Sequence, residues 1–135
     1  MLDCLSPLSF DEQQIEMIDF IAVYAADFGL LDENLHGYSN YRYSEFPARK
    51  QTIASALRNL ILDGYIHLTP TTVGYEYSIL ETGKNVCKKM NSSYAKEYTL
   101  AVQIVASNFE NADTAAMLRA INKLTVQSLE EVGHE

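Results

Sequence analysis

Long apolar runs are missing from this chain. Nowhere do 18 apolar residues follow one another, so no transmembrane helix is expected. No basic region precedes an apolar stretch near Met1, so no secretory signal peptide is expected either. Cysteine is scarce: Cys4 and Cys87 fit no metal-binding or redox spacing. A reduced, cytoplasmic protein follows, with Cys87 as a small buried hydrophobe. Positive charge is short as well. Ten Lys and Arg face 18 Asp and Glu, and the net charge of −8 argues against a simple DNA-binding domain. The signatures of chemistry are absent too. There is no HExxH, CxxC or Walker pattern, and His36, His67 and His134 are scattered. The six glycines read as helix stops and turns, not as a phosphate-cradling loop. No catalytic residue, metal ligand or cofactor is expected, and the chain is not expected to be an enzyme. Asp19 stands out between Ile18 and Phe20 in the most apolar stretch. It is expected on a helix's polar edge or bonded to a neighbouring backbone group; a buried carboxylate with a perturbed pKa is the alternative.

What is present fits one domain over residues 1–135, with 47% hydrophobic residues to build its core. Ser9 is a plausible N-cap for a first helix that runs to Phe28, with Asp11 and Glu12 favouring its dipole. Met17, Phe20, Ile21, Tyr24 and Phe28 form its main apolar face, widened by Ile15, Ile18 and Val23, so the helix should lie buried between neighbours. A polar connector over residues 30–47 follows. A second helix spans Arg49 to Asp63, with Ile53, Leu57, Leu60 and Ile61 on one face, and Gly64 stops it. Two β-rich runs, Tyr65 to Thr69 and Tyr75 to Ile79, flank a turn at residues 70–74, and His67 should face solvent. Thr82 can cap a short helix from Gly83 to Met90. Asn91-Ser92-Ser93 breaks that helix and caps a strongly amphipathic one from Tyr94 to Phe109, and Asp113 or Thr114 opens the last one, with Met117, Ala120, Ile121 and Leu124 on one face. The tail after Leu129 reads as frayed.

The expected fold class is mostly α with a small β-hairpin, α+β. It is a winged-helix-like domain over about residues 10–91 with a C-terminal helical extension over about 92–132. Such modules bind DNA or proteins. The extension exceeds what a minimal wing domain needs, and its apolar surface should meet a partner or a second copy. Charge is unevenly spread: residues 1–41, 42–96 and 97–135 carry −8, +4 and −4. Arg49, Lys50 and Arg58 should face outward from the second helix, as possible nucleic-acid contacts. The wing tip has no Lys or Arg, which counts against direct DNA reading. In the connector, Tyr38, Tyr41 and Tyr43 surround Arg42. They either pack a loop onto the core or form an aromatic–Arg patch of the composition of protein-binding hot spots. These four, with the exposed part of the Tyr94–Phe109 helix, are the partner-binding candidates.

Several stretches together resemble the middle components of the ABC-three-component systems, the family of the small subunit of Lamassu-type complexes. They are Ile18-Asp19-Phe20 with its apolar helix, Leu35-His36 before Phe46-Pro47-Ala48-Arg49, Leu57 through Ile66, Gly74-Tyr75-Glu76-Tyr77 before Gly83, and Ser92-Ser93-Tyr94-Ala95. The resemblance covers roughly residues 15–110. One departure is visible: Leu80 stands where many winged helices carry a capping Thr, and Thr82 is its candidate substitute. The resemblance implies a non-catalytic bridging subunit in bacterial anti-phage or anti-plasmid defence. Its partners would be an SMC- or Rad50-like ABC ATPase dimer and an effector, often a nuclease, restrained until DNA is sensed. DNA would be touched, if at all, through the complex. The competing reading is a dimeric winged-helix transcription regulator similar to the PadR or MarR type.

Overall fold

The structure is a computed structural model and describes residues 1–37 and 44–133. The connector candidates Tyr38, Tyr41, Arg42 and Tyr43 lie outside the described residues. Five α-helices and one hairpin follow in the order α1 (Glu12–Val23), α2 (Glu45–Leu62), β1 (Ile66–Thr71), β2 (Gly74–Ile79), α3 (Glu81–Cys87), α4 (Ser93–Asn108) and α5 (Thr114–Gly133). A 3-10 turn at Glu110–Ala112 joins the last two helices. The architecture is mostly helical with a two-stranded antiparallel sheet, as the apolar periodicities imply. No helix among the described residues is long and apolar enough to cross a membrane.

Helix α1 is the centre. Every residue from Met17 to Ala25 is buried, and the helix packs against α2, α4 and α5 and touches β2. Phe20 anchors an aromatic cluster, with ring centroids 5.3 Å from Tyr24, 5.3 Å from Phe46 and 6.2 Å from Phe28. The N-cap is Asp11, not Ser9. Asp11 Oδ1 accepts from the Gln14 amide at 2.7 Å, and Gln14 Oε1 accepts from the Asp11 amide at 2.9 Å, a reciprocal capping box. Ser9 is drawn elsewhere: its hydroxyl donates to Glu76 on the hairpin at 3.0 Å. Next to it Phe10 pairs antiparallel with Tyr77, extending the hairpin by one bridge. The helix also stops at Val23, short of Phe28. There Asn34 Oδ1 accepts the amides of Ala26 at 2.8 Å and Asp27 at 3.2 Å, giving the chain side-chain partners in place of another helical turn.

Helix α2 begins at Glu45, four residues before Arg49, because Pro47 falls in the first turn, where a missing N–H costs nothing. Its end follows from Gly64 at φ +78°. The Gly64 amide reaches Ile61 O at 3.1 Å and the Tyr65 amide reaches Leu60 O at 3.0 Å, a Schellman closure. The hairpin is tighter than the expected five-residue turn. Its strands pair from Ile66↔Ile79 to Thr71↔Gly74, leaving Thr72 and Val73 as the turn. Ile66 is buried and His67 exposed, as alternation requires.

Thr82 does not cap α3. Its hydroxyl donates to Gly64 O at 2.5 Å, tying α3 to the end of α2, while Leu80 holds the N-cap position. Helix α3 ends at Cys87, three residues early. Ser92 caps α4 as its position implies, accepting from the Ala95 amide at 3.1 Å. Asp113 takes the corresponding role for α5, accepting from the Ala115 amide at 3.0 Å. Gln14 Nε2 also donates to Ala112 O at 3.2 Å, so the partner of Asp11 in the capping box pins the α4–α5 corner. Met117, Ile121 and Leu124 of α5 are buried in the core that surrounds α1, so this face of the extension is core, not a free docking face. The helix continues past Leu129 to Gly133.

Gly83 sets the closeness of α3. A Cβ there would press on the Tyr65 carbonyl oxygen and lie 2.9 Å from Ile79 Cγ1. Gly83→Ala is therefore expected to lower the stability by about 1–3 kcal/mol. Urea unfolding checks it; an unchanged midpoint would show that α3 floats free of the hairpin.

Candidate functional site

Three helices meet at one carboxylate. Asp19, in the middle of α1, is 5% exposed and surrounded by apolar neighbours. Arg49 of α2 grips it with two hydrogen bonds, Nε to Oδ2 at 2.5 Å and Nη2 to Oδ1 at 3.0 Å. Tyr98 of α4 donates its hydroxyl to Oδ1 at 2.7 Å. The two-pronged guanidinium fits the two carboxylate oxygens, which suits Arg better than Lys at this position. Asp19 is thus the buried carboxylate, satisfied by side chains rather than by backbone. The outward placement expected for Arg49 is corrected by the same contacts: a buried anion must be paired, and that requirement turns the guanidinium inward.

The electrostatics follow. The hydrogen bond to Asp19 raises the Arg49 pKa, outweighing its partial burial. Burial, then the negative charge of Asp19, push the Tyr98 phenol far above the ordinary tyrosine range. Beyond Tyr98 the aromatic column continues. Tyr94 stacks on Tyr98 at 6.3 Å, and its hydroxyl meets His36 Nε2 at 2.8 Å. The His36 ring stacks on Tyr94 at 6.1 Å and lies edge-on to Tyr24 at 6.2 Å. Tyr24 is itself pushed up to about 12, by burial and then by the neighbouring Glu45 carboxylate.

Beside this clasp opens a cavity of about 650 Å³ between the N-terminal residues, α2, α3 and the first half of α4. Asp19, Tyr94 and Tyr98 line it, and Leu57, Ile66 and Ile79 are among its apolar lining. Cys4 and Cys87 line it too, both half-buried, and burial pushes both thiols up, so neither is an activated nucleophile. Among the described residues no group of three or more His, Cys, Asp or Glu side chains gathers as a metal-holding cluster.

The remaining basic candidates do not join Arg49. Lys50 is exposed, with its ammonium 4.6 Å from the Phe46 ring centroid, and Arg58 is exposed further along α2. Ala48, Gln51, Thr52, Ser55 and Asn59 of α2 line a shallow neutral depression, with exposed Arg58 two turns on from Gln51. The Asp19–Arg49–Tyr98 clasp escaped sequence reasoning because its members are 30 and 79 residues apart. The only local signal was an acid placed in an apolar helix.

Two predictions follow from the clasp. Asp19→Asn is expected to cost about 3 kcal/mol by leaving Arg49 without its anion, with part of the loss recovered in Asp19→Leu/Arg49→Met; chemical denaturation of the single and double variants measures both. Tyr98 ionises near pH 10 when unfolded and well above that when folded, so the folded state holds the extra proton. Its contribution is complete below about pH 10 and is lost as pH rises further, at up to about 1.4 kcal/mol per pH unit. Tyr98→Phe should flatten that alkaline slope; an unchanged slope would remove Tyr98 as its source.

The family model described as ABC-three component (ABC-3C) system Middle Component 2 matches residues 1–131. No curated protein and no solved structure matches the chain. The match takes in the capping box of α1, the Asp19–Arg49–Tyr98 clasp, the hairpin, the cavity and nearly all of α5. The chain belongs to the Middle Component 2 family of the ABC-three component systems.

Proposed function

We propose that the protein is a non-catalytic bridging subunit of a bacterial defence complex of the Lamassu type. It joins an SMC- or Rad50-like ABC ATPase to an effector in the cytoplasm and restrains the effector until DNA is sensed. Family membership supplies the setting. The observation that carries the bridging role is where the unsatisfied surface lies. The buried charge of the clasp is spent on holding three helices together, whereas Leu60, Val86, Met90 and Tyr94 line the cavity and are each exposed by more than a third. Such surface is what a partner covers.

The order of α2, hairpin and α3, with Phe10 bridged to Tyr77, supports a winged-helix reading of the centre. Placing α2 in a DNA groove would present a neutral outer face flanked by Arg58, on a chain of net charge −8. That disfavours the regulator reading, in which binding is driven by cationic contacts to phosphate.

Co-expression with an SMC- or Rad50-like ATPase and an effector of such a system tests the proposal. Expected is a stable complex that loses the effector when this chain is omitted, together with no mobility shift of DNA by the isolated chain at moderate salt. A sequence-specific shift by the isolated chain, lost on Lys50→Ala/Arg58→Ala, would replace bridging with regulation.

A further inference from the structure

We infer that the cavity between α2, α3 and α4 is the docking groove for an acidic amphipathic helix of another component. The inference rests on the bridging reading for the partner's existence, but its chemistry comes from the groove. The floor is apolar, and at about 650 Å³ it has room for several large aliphatic side chains. It is incompletely closed because α3 is only seven residues long, and its contacts at Gly83, Thr82 and Leu80 hold just its first turn against the end of α2 and the hairpin. Past that turn, Val86 and Met90 face the opening, and across it the first half of α4 leaves Tyr94 half exposed.

The rim identifies the occupant. Residues 84–96 hold Lys84, Lys88, Lys89 and Lys96 and no acid, in a chain whose net charge is −8. Lys84 leans on Glu81 at 3.5 Å. Among the described residues Lys88, Lys89 and Lys96 form no ion pair; Lys96 stands in the cavity wall, which Asp3 shares, and Lys88 and Lys89 are exposed beside the groove-lining Met90. Part of the Lys88 and Lys89 charge complements the carbonyl end of α3. The stretch borders a groove that a helix enters with apolar residues at i, i+3, i+4 and i+7 and carboxylates along its edges. Matching of opposite charges at such a rim selects the partner and speeds its arrival.

The test sets local against global charge. The full-length chain is titrated by fluorescence anisotropy with two labelled 18-residue amphipathic peptides, one Leu/Glu and one Leu/Lys. The whole-molecule field attracts the Leu/Lys peptide, so only the lysine rim makes the Leu/Glu peptide the better ligand. At least tenfold tighter binding of the Leu/Glu peptide is expected. Met90→Glu should abolish that binding, and Lys88→Glu/Lys89→Glu should reverse the preference, both in chains with unchanged circular dichroism. Equal binding, preference for Leu/Lys, or no binding by either peptide overturns the inference. So does a dimer of the chain that Met90→Glu dissolves, because a second copy would then be the occupant. If the three-component complex fails to form while Leu/Glu binding holds, the bridging reading falls and the groove stands. If the complex forms and Leu/Glu does not bind, the reverse holds.

Discussion

A buried carboxylate in an apolar helix must be neutralised and hydrogen-bonded, and everything around Asp19 is arranged to do so. The pairing requires Arg49 to turn inward, which fixes the rotation of α2 about its axis, and it requires the Tyr98 hydroxyl to reach α1, which fixes α4. Breaking such a pair costs far more than the pair contributes relative to apolar replacements. The clasp therefore specifies how three helices sit more than it adds to their stability. The hairpin and α3 are then carried by α2 through the Gly64 closure and the Thr82 hydroxyl.

Fixing α2 in that way decides which of its faces are available. With Arg49 paired to Asp19, the exposed surface of α2 keeps only Lys50 and Arg58 as cations, around the neutral Gln51, Ser55 and Asn59. The molecule's other resource is apolar surface left uncovered where α3 is too short to close over α2 and α4. A small domain with a satisfied polar centre and an unsatisfied apolar margin is suited to being held by other proteins. That agrees with a place as the middle member of a three-component system.

Local chemistry made much of the fold legible. Gly64 had to end α2, because the left-handed cap position there favours glycine, and the Asn91-Ser92-Ser93 run had to open α4. Alternation around Ile66 and His67 marked the hairpin. Errors arose wherever a side chain answered to a distant partner. Ser9 looked like a cap but bonds Glu76; Thr82 looked like a cap but bonds Gly64; Arg49 looked like a surface cation but pairs with Asp19. Each is a short polar or charged residue whose local role and tertiary role compete, and one sequence displays only the local one. The cavity was illegible for a related reason: Val86, Met90 and Tyr94 become neighbours only once Gly83 brings α3 against the hairpin.

The central claim is that partners engage the α3–α4 margin while the outer face of α2 stays free. Hydrogen–deuterium exchange on the chain alone and within the assembled complex tests it most directly. Slowed exchange at residues 84–100 and at the groove-lining end of α2, with residues 48–52 and the hairpin tip unchanged, is the predicted result. Protection of residues 48–52 with none at 84–100 would contradict it.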